Sequence, residues 1–524
     1  MSRPQGPTSQ TCPRCLAPGR FDTIDAKPSC IPIDILKTNR PPTDIEILCI
    51  RSTIDETRAR KAELEARIVT LQSILNKLLA DHKNIREEIW IHEGTLSPLR
   101  RMPTELLSLI FVFAFRPARD ARQNSTPWTA SQVCHRWRAI ILSQPSFWAS
   151  IDLDFRRMRG SHTKTTFGLE TQLKRSGNIP LDIDFGCRWE RESSEQELDL
   201  LKVLVQHCAR WEKIRIQGPL SLSSDLASIR GNLPLLRKLQ VLLEPPPRHE
   251  AHSLDVFELA PSLREASVNM VDYWQAVVDV RLPFSGLLQY AGRNTWDGHL
   301  SVLHSASNLV ECALDIEEDD RFTISTTMVA LPHLLRLSLS NSKLLDCLDV
   351  PQLEELYCSS HSNHLSSLFR RQPPQQLRKL VLFFPASVID IAGTLRSVPT
   401  ITEMGVSVRA EAFDELFAQL LLRNKPTDIG LPLRSMVICC GATRIAQSFL
   451  RYDEDMLVNM MTSRWRSGRL RSITIPDTDF WLEGNERLKV LESEGFAITF
   501  TSKIRCQSHI EMVPHQLRFK NHQL

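Results

Sequence analysis

The sequence predicts an α/β protein in three successive parts: a long N-terminal helix, a small three-helix module and an irregular α/β solenoid of repeats. Three observations carry this prediction. Apolar residues recur in heptads over 47–92, and no proline or glycine lies between Arg51 and Glu93. A dense apolar segment follows over 95–150. A recurring apolar motif then predicts short, regularly spaced strands across 165–524.

The overall composition excludes a strongly charged or membrane-embedded protein. The 524-residue chain is 42% hydrophobic and 24% charged, with a formal net charge of +3. We therefore expect no nucleic-acid partner and no membrane partner. The N-terminus lacks the apolar core of a secretory signal, and the longest apolar run, Leu109–Phe115, is too short to span a bilayer. With 13 scattered cysteines, this favours reduced thiols in the cytoplasm or nucleus.

Residues 1–44 are rich in proline and lack hydrophobic periodicity, which predicts a disordered leader. Cys12 and Cys15 form a Cys-x-x-Cys pair in this segment, and such a pair can supply half of a tetrahedral zinc site. The next cysteines, Cys30 and Cys49, are isolated. This spacing favours unliganded thiols over a zinc site, and we expect no metal and no other cofactor.

Residues 45–93 predict a long helix that Gly94 ends. Its apolar seam has two interpretations: the helix packs on the downstream domain, or residues 47–89 self-associate as a coiled coil that dimerises the protein. Polar residues interrupt the seam, and the two interpretations stay open. The a positions are Ile47, Ile54, Lys61, Ile68, Leu75, His82 and Ile89, and the d positions are Ile50, Thr57, Leu64, Leu71, Leu78, Ile85 and His92.

The segment 95–150 predicts three short helices with more apolar surface than so small a core can bury, which indicates a partner surface. The first helix starts at Pro103, with Thr104 as N-cap. A polar loop over 116–127 precedes the second helix, and a third apolar cluster ends at Trp148. The apolar positions of the first two helices are Leu106, Leu107, Ile110, Phe111, Ala114 and Phe115, then Val133, Cys134, Trp137, Ile140 and Ile141.

Three strings in this segment carry a family resemblance: Met102-Pro103-x-Glu105-Leu106-Leu107-x-x-Ile110-Phe111, Val133-Cys134-x-x-Trp137-Arg138 and Pro145-x-x-Trp148. Together they resemble an F-box, the motif that docks F-box proteins onto the Skp-type adaptor of cullin–RING ubiquitin ligases. Methionine stands where leucine is usual before the proline, and the loop after Ile110 is longer than in compact F-boxes. The resemblance implies adaptor contacts by Leu99, Pro103, Leu106, Leu107, Ile110, Val133, Trp137 and Trp148.

The motif of residues 165–524 is apolar-x-x-apolar-x-apolar, and most of its intervals fall within the ~20–29 residues of leucine-rich repeats. Each copy predicts a short strand with its apolar residues turned inward, and stacking of the copies buries what one unit cannot. The usual asparagine after the strand is missing, which predicts less regular stacking. The copies begin at Trp211, Leu236, Leu263, Phe284, Leu309, Leu334, Leu353, Leu377, Ile401, Leu433 and Leu470.

The combination of a divergent F-box with irregular repeats is similar to the large F-box-like families of mushroom-forming fungi. The phrases that begin at Leu173 and Leu282 add to this resemblance. It implies a substrate-recognition subunit of a ubiquitin ligase, with the repeats binding a target protein. Two alternatives stay open: a scaffold that oligomerises through 47–89 and acts without ubiquitin, and an enzyme whose site is assembled only by the fold.

A search for catalytic chemistry finds no phosphate-binding loop, dinucleotide fingerprint or nucleophile elbow, so we expect no catalytic residues. Asp152-x-Asp154 and Asp182-x-Asp184 alternate with apolar residues, which places them on the solvent face of strands. His361-x-x-His364 is predicted to be a polar loop without a nearby carboxylate. Cys439-Cys440 are predicted to be buried thiols, and Glu317–Asp320 a solvated turn.

Overall fold

The computed structural model describes residues 35, 37, 40–115, 126–155, 163–187, 195–244, 252–270, 278–316, 328–358, 362–372, 375–423, 425, 428–440, 452–476 and 485–501. Predictions for Cys12, Cys15, His361 and 317–320 lie outside these residues, as does most of the predicted leader. The chain divides into two compact units, residues 1–110 and 111–524.

Helix α1 spans Asp44–Leu96 in the first unit. At its start the backbone N–H of Thr43 donates to Glu46 Oε2 at 2.7 Å; this bond and the Arg40 side chain lower the pKa of Glu46 to about 2. The helix continues past Gly94, so the predicted end was wrong. It stops at Ser97 because the residue before a proline, here Pro98, disfavours helical backbone.

Helix α2 covers Thr104–Ala114 and crosses the boundary between the units, which lies after Ile110. Thr104 is its first helical residue rather than the N-cap, and the Pro103 carbonyl accepts from the backbone N–H of Leu107 at 3.2 Å. No helix in the described ranges is long and apolar enough to cross a membrane.

The second unit contains α3 to α13 and all described strands. The helices are α3 (Pro127–Ala130), α4 (His135–Ser143), α5 (Thr163–Arg175), α6 (Glu195–Val205), α7 (Leu222–Asp225), α8 (Trp296–Ser305), α9 (Ser362–Arg371), α10 (Val388–Ser397), α11 (Phe413–Leu420), α12 (Glu454–Arg466) and α13 (Glu486–Ser493). The strands are β1 (Ser150–Asp154), β2 (Leu181–Gly186), β3 (Trp211–Pro219), β4 (Lys238–Glu244), β5 (His252–Leu254), β6 (Glu265–Met270), β7 (Val278–Val280), β8 (Gln289–Asn294), β9 (Glu311–Ile316), β10 (Val329–Ala330), β11 (Arg336–Leu339), β12 (Leu348–Asp349), β13 (Glu355–Cys358), β14 (Lys379–Pro385), β15 (Glu403–Val408), β16 (Ser435–Cys440), β17 (Ser472–Pro476) and β18 (Ala497–Thr501).

Most of these strands form one 14-stranded parallel sheet that follows the chain in the order β1-β2-β3-β4-β6-β8-β9-β11-β13-β14-β15-β16-β17-β18. The protein is therefore mixed α/β with a long N-terminal helix, as predicted. Each predicted motif, from Trp211 to Leu470, leads into a strand of this sheet. The sheet begins earlier than residue 165, because β1 already pairs with β2 from Ser150 onward. The other four strands form two-stranded sheets, β5 with β7 and β10 with β12.

The apolar residues of the motifs build one continuous core along the sheet. In the copy that begins at Leu334, the side chains of Leu334, Leu337 and Leu339 have no exposed surface. Burial of such a leucine contributes about 1.5–3 kcal/mol relative to exposure. The alternating apolar residues of the strands therefore determine which face of the sheet carries this core.

Main-chain carbonyls directly before the strands join each strand to its neighbour in the sheet. The carbonyl of Arg237, directly before β4, accepts from the backbone N–H groups of Arg264 and Glu265, both at 3.0 Å. The carbonyl of Leu288, directly before β8, accepts in the same way from the backbone N–H groups of Val310 and Glu311 at the start of β9. A carbonyl that accepts two bonds in this way recurs before most later strands. Among the described strand pairs, the register shifts within two, β2 with β3 and β14 with β15. The other carbonyls of this ladder belong to Arg264, Val310, Leu335, Glu354, Arg378, Thr402 and Arg434.

His299 is buried on α8, and its two ring nitrogens differ in environment. Nε2 lies 3.0 Å from the Asp315 carbonyl oxygen and donates to it, while Nδ1 has no hydrogen-bond partner among the described residues. Protonation of Nδ1 would bury both a charge and an unpaired donor. Burial accordingly lowers the pKa of His299 to about 4.

We expect His299 to make the folded state less stable by about 3 kcal/mol at pH 4 than at pH 7. An unfolded histidine binds its proton near pH 6.5, whereas folded His299 does so near pH 4. Between these values the unfolded state holds more protons and gains population as pH falls. Urea unfolding of wild type and His299→Gln across this range measures the effect, since glutamine keeps the donor to Asp315. Equal pH dependence in both proteins would contradict the expectation.

Candidate interaction surfaces

Helix α2 carries a row of exposed apolar side chains along one face. Leu106, Leu109 and Ile110 follow the i, i+3, i+4 spacing of a single helix face. Between 44% and 54% of each residue remains exposed. We call this row the α2 face. A contiguous exposed apolar patch of this kind typically marks an interaction site.

Trp148, by contrast, lies in an aromatic cluster of the second unit and is fully buried. Its indole Nε1 donates to the Ile141 carbonyl oxygen at 3.0 Å, which ties α4 to the 3-10 turn Pro145–Trp148. The Trp128 ring meets its ring edge-on at 4.9 Å, and the Arg175 guanidinium lies 4.5 Å from the ring centre. Trp148 therefore acts as a packing residue.

The structure divides the predicted partner-binding residues into buried and exposed groups. Leu107 and Trp148 are buried, which leaves them no side-chain surface for a partner and corrects their predicted role. Trp137 is half-buried, because Phe111 packs edge-on against its ring at 4.9 Å. The residues that keep exposed surface are Leu99, Pro103, Leu106 and Ile110 in the first unit and Val133 in the second.

A second candidate surface is the face of the sheet that does not carry the buried leucines. Here the residue directly before the second apolar position of most motifs forms a row across the strands, which we call the charge row. Lys238 Nζ lies 2.5 Å from Glu265 Oε2 on the neighbouring strand, and Lys379 Nζ lies 3.5 Å from Glu403 Oε2. Half-exposed pairs like these contribute about 0.2–1 kcal/mol each, so they order this face more than they stabilise it.

Glu311 is the most buried member of the charge row, with only 3% of its side chain exposed. One carboxylate oxygen contacts Arg336 on the adjacent strand, and Oε2 has no hydrogen-bond partner in the described ranges. Its neighbours on the same face, Ala313 and Ser338, are small and buried. A shallow pocket opens further along this face, lined by Lys238, Gln240, Glu265, Ser267, Gln289 and Ala291.

The aspartate pairs mostly keep the positions that strand alternation predicts. Asp182 and Asp184 face Lys213 and Arg215 of the next strand, at 4.0 and 3.2 Å. Partial burial, the largest influence, raises the pKa of Asp182. Asp154 is only 1% exposed, so its predicted exposure was wrong: alternation fixes the face of a residue but not what lies over that face.

His364 lies in α9 rather than in a polar loop, and its Nδ1 is 2.5 Å from Asp346 Oδ2. The prediction that no carboxylate is near was therefore wrong, since Asp346 comes from a 3-10 helix earlier in the chain. Cys439 and Cys440 end β16 and are buried, as predicted. Among the described residues, no group of three or more His, Cys, Asp or Glu side chains could hold a metal ion.

Comparison with known proteins adds no assignment. No protein-family model matches the chain, and no curated protein matches it.

The charge row was missed in the sequence, although a signal for it was present. Lys238, Glu265, Glu311, Arg336 and Lys379 occupy the same position of their respective motifs. Lateral pairing of parallel strands in register brings equal motif positions together, so opposite charges there predict ion pairs. The buried acceptor of Glu311 gives no such signal, because it depends on the sizes of neighbouring side chains.

Proposed function

We propose that this chain is a non-enzymatic substrate-recognition subunit of an SCF-type cullin–RING ubiquitin ligase. The segment 95–150 docks on a Skp-type adaptor, and the sheet binds a target protein. Holding both at a fixed separation raises the effective concentration of target lysines near the conjugating enzyme. The observation that carries the proposal is the exposed α2 face, which lies within the strings that resemble an F-box.

The proposed contact with the adaptor is supported by exposed apolar residues within the strings that resemble an F-box. Leu106 and Ile110 belong to the first string and are about half exposed. Val133 begins the second string and is also exposed. Exposed leucine and isoleucine on a short helix are costly in water, and burial against an apolar groove of a partner offsets that cost.

The target half rests on the sheet. We propose that residues 150–501 form an irregular leucine-rich-repeat-like solenoid, supported by parallel strands in chain order and by buried leucines at equal motif positions. The charge row and the pocket beside Ser267 then offer the target a polar surface on rigid strands. Alternating charges there select partners by complementarity more than they add affinity.

We expect the full chain to copurify with a Skp-type adaptor, and Leu106→Asp combined with Ile110→Asp to weaken binding at least about 100-fold, or roughly 2.7 kcal/mol. A buried carboxylate at either position would lack a partner in the interface. Isothermal titration calorimetry with purified adaptor measures the change.

The matched control is Leu259→Asp, which makes the same substitution at an exposed leucine far along the chain. This variant should bind the adaptor as wild type does. The proposed function would be contradicted if the wild-type chain did not bind the adaptor at micromolar concentration, or if the double variant bound it as wild type does.

A second candidate function is a scaffold that oligomerises and acts without ubiquitin. The observation in its favour is α1, whose residues are all described and none of which is buried. An oligomeric chain that fails to bind any Skp-type adaptor would support this function over the first.

A further inference from the structure

Helix α1 presents an apolar seam to solvent along most of its length. Its 53 residues extend about 80 Å. More than half of the accessible surface of each of the residues Ile68, Leu75 and Leu78 is exposed. An isolated seam of this kind is unfavourable in water, and a helix with the same repeat is the surface that best covers it. The exposed seam residues are Ile54, Ile68, Leu71, Leu75, Leu78, Ile85 and Ile89.

We propose that α1 pairs with α1 of a second copy of this chain as a parallel, in-register, two-stranded coiled coil over residues 47–92. Isoleucine dominates the apolar a positions, as at Ile54 and Ile68, and leucine is the commoner apolar residue at d, as at Leu71 and Leu78. Isoleucine at a with leucine at d favours two strands over three or four.

The charges that flank the seam complement one another between two parallel copies. In this arrangement a g position of one helix faces the following e position of the other. Arg60 then meets Glu65 of the second copy, and Asp81 meets Arg86. Each pair occurs twice in the dimer. Glu88 and Glu93 form the opposed like-charge pair of this register, near the end of the helix.

The polar residues of the seam also favour the parallel register over the antiparallel one. Parallel pairing sets each residue against its own copy, so that Lys61 and His82 form separate polar layers and leave the apolar layers intact. The antiparallel register that aligns the same seam would place Lys61 against Leu78 and His92 against Ile47. Polar layers cost stability but fix register and orientation.

Sedimentation equilibrium of the full chain at about 10 μM tests the second copy, and the expected mass is twice 59.8 kDa. Leu71→Lys combined with Leu78→Lys should yield a monomer, because two charges enter each apolar layer. The control, Ser73→Lys with Ala80→Lys, adds the same charges at outward f positions and should stay dimeric. A monomeric or trimeric wild type, or a dimeric seam variant, overturns the proposal.

Crosslinking tests the orientation. Leu78→Cys places a thiol at a d position that meets its own copy in the parallel dimer but faces Lys61 in the antiparallel one. Mild oxidation should link this variant in at least about tenfold greater yield than Ser73→Cys, whose thiol points outward. Equal yields from the two variants overturn the parallel register.

Charge reversal tests the flanking pairs. Asp81→Arg should raise the dimer dissociation constant about tenfold, since each dimer then holds two like-charge contacts. Adding Arg86→Asp should return it to within about threefold of wild type. A double variant as weak as the single one overturns the proposed pairing. None of these measurements involves an adaptor, so this proposal and the proposed function fail separately.

Discussion

Replacement of Arg464 by alanine is expected to lower the free energy of unfolding by about 4 kcal/mol, because three buried carbonyls lose their donor. Arg464 lies on α12 and is 1% exposed. Its guanidinium donates to the carbonyl oxygens of Leu420, Ile429 and Gly430 at 2.6, 2.8 and 2.8 Å. One side chain therefore ties α12 to the end of α11 and to the loop that precedes β16.

Arg464 keeps its positive charge although it is buried. Burial lowers its pKa to about 10, which still leaves it protonated at neutral pH. Gly430 contributes a backbone that a side chain would not tolerate: its φ is +60°, and a Cβ there would lie 2.7 Å from Leu433 Cδ1. The Gly430 carbonyl that accepts from Arg464 therefore belongs to a backbone conformation that favours glycine.

Urea unfolding of Arg464→Ala and Arg464→Lys, each beside wild type, measures the effect. Lysine keeps the charge but lacks the planar fork that reaches three acceptors, so it should recover less than half of the loss. The control is Arg466→Ala, an exposed arginine on the same helix, which should change stability by less than about 0.5 kcal/mol. Full recovery by lysine would show that charge rather than geometry holds this corner.

The second large effect is expected at Trp148, where alanine should cost about 3–5 kcal/mol. The substitution removes a fully buried ring, its contact with Trp128 and the donor to the Ile141 carbonyl. Thermal unfolding measures the loss. Phenylalanine at this position should cost less, because it keeps most of the ring and leaves only the carbonyl without its donor.

Val133 gives the contrasting case. It is 61% exposed, and Val133→Ala should leave stability within about 0.5 kcal/mol of wild type. The two variants together compare the stability contribution of a buried residue with that of an exposed residue in the same segment. A Trp148→Ala protein as stable as wild type would show that the aromatic cluster does not hold this segment together.

The strand positions could be predicted from the sequence because local pattern and global burial agree there. Leu334, Leu337 and Leu339 alternate as a strand requires, and all three are buried. The end of α1 could not be predicted from Gly94 alone. Glycine weakens a helix by about 1 kcal/mol. Pro98 instead disfavours the helical conformation of Ser97, and this stronger restriction determines where α1 ends.

The surfaces were harder to predict, because exposure depends on residues distant in sequence. Leu106 and Leu107 are adjacent and chemically equal, yet one is half exposed and the other is buried. The pairing of His364 with Asp346 depends on how a helix and an earlier turn approach each other. The role of Arg464 gives no signal in the sequence, since no pattern marks the three carbonyls that it binds.

The carbonyl ladder joins the strands through main-chain atoms, whereas side chains determine the chemistry of the surface. Each joint between strands, such as the one at Arg237, uses main-chain atoms that every amino acid possesses. Exposed side chains at these positions can therefore change without loss of the main-chain bonds, provided that proline does not replace a donor. A protein joined in this way can change the chemistry of one exposed face by substitution while it retains its architecture.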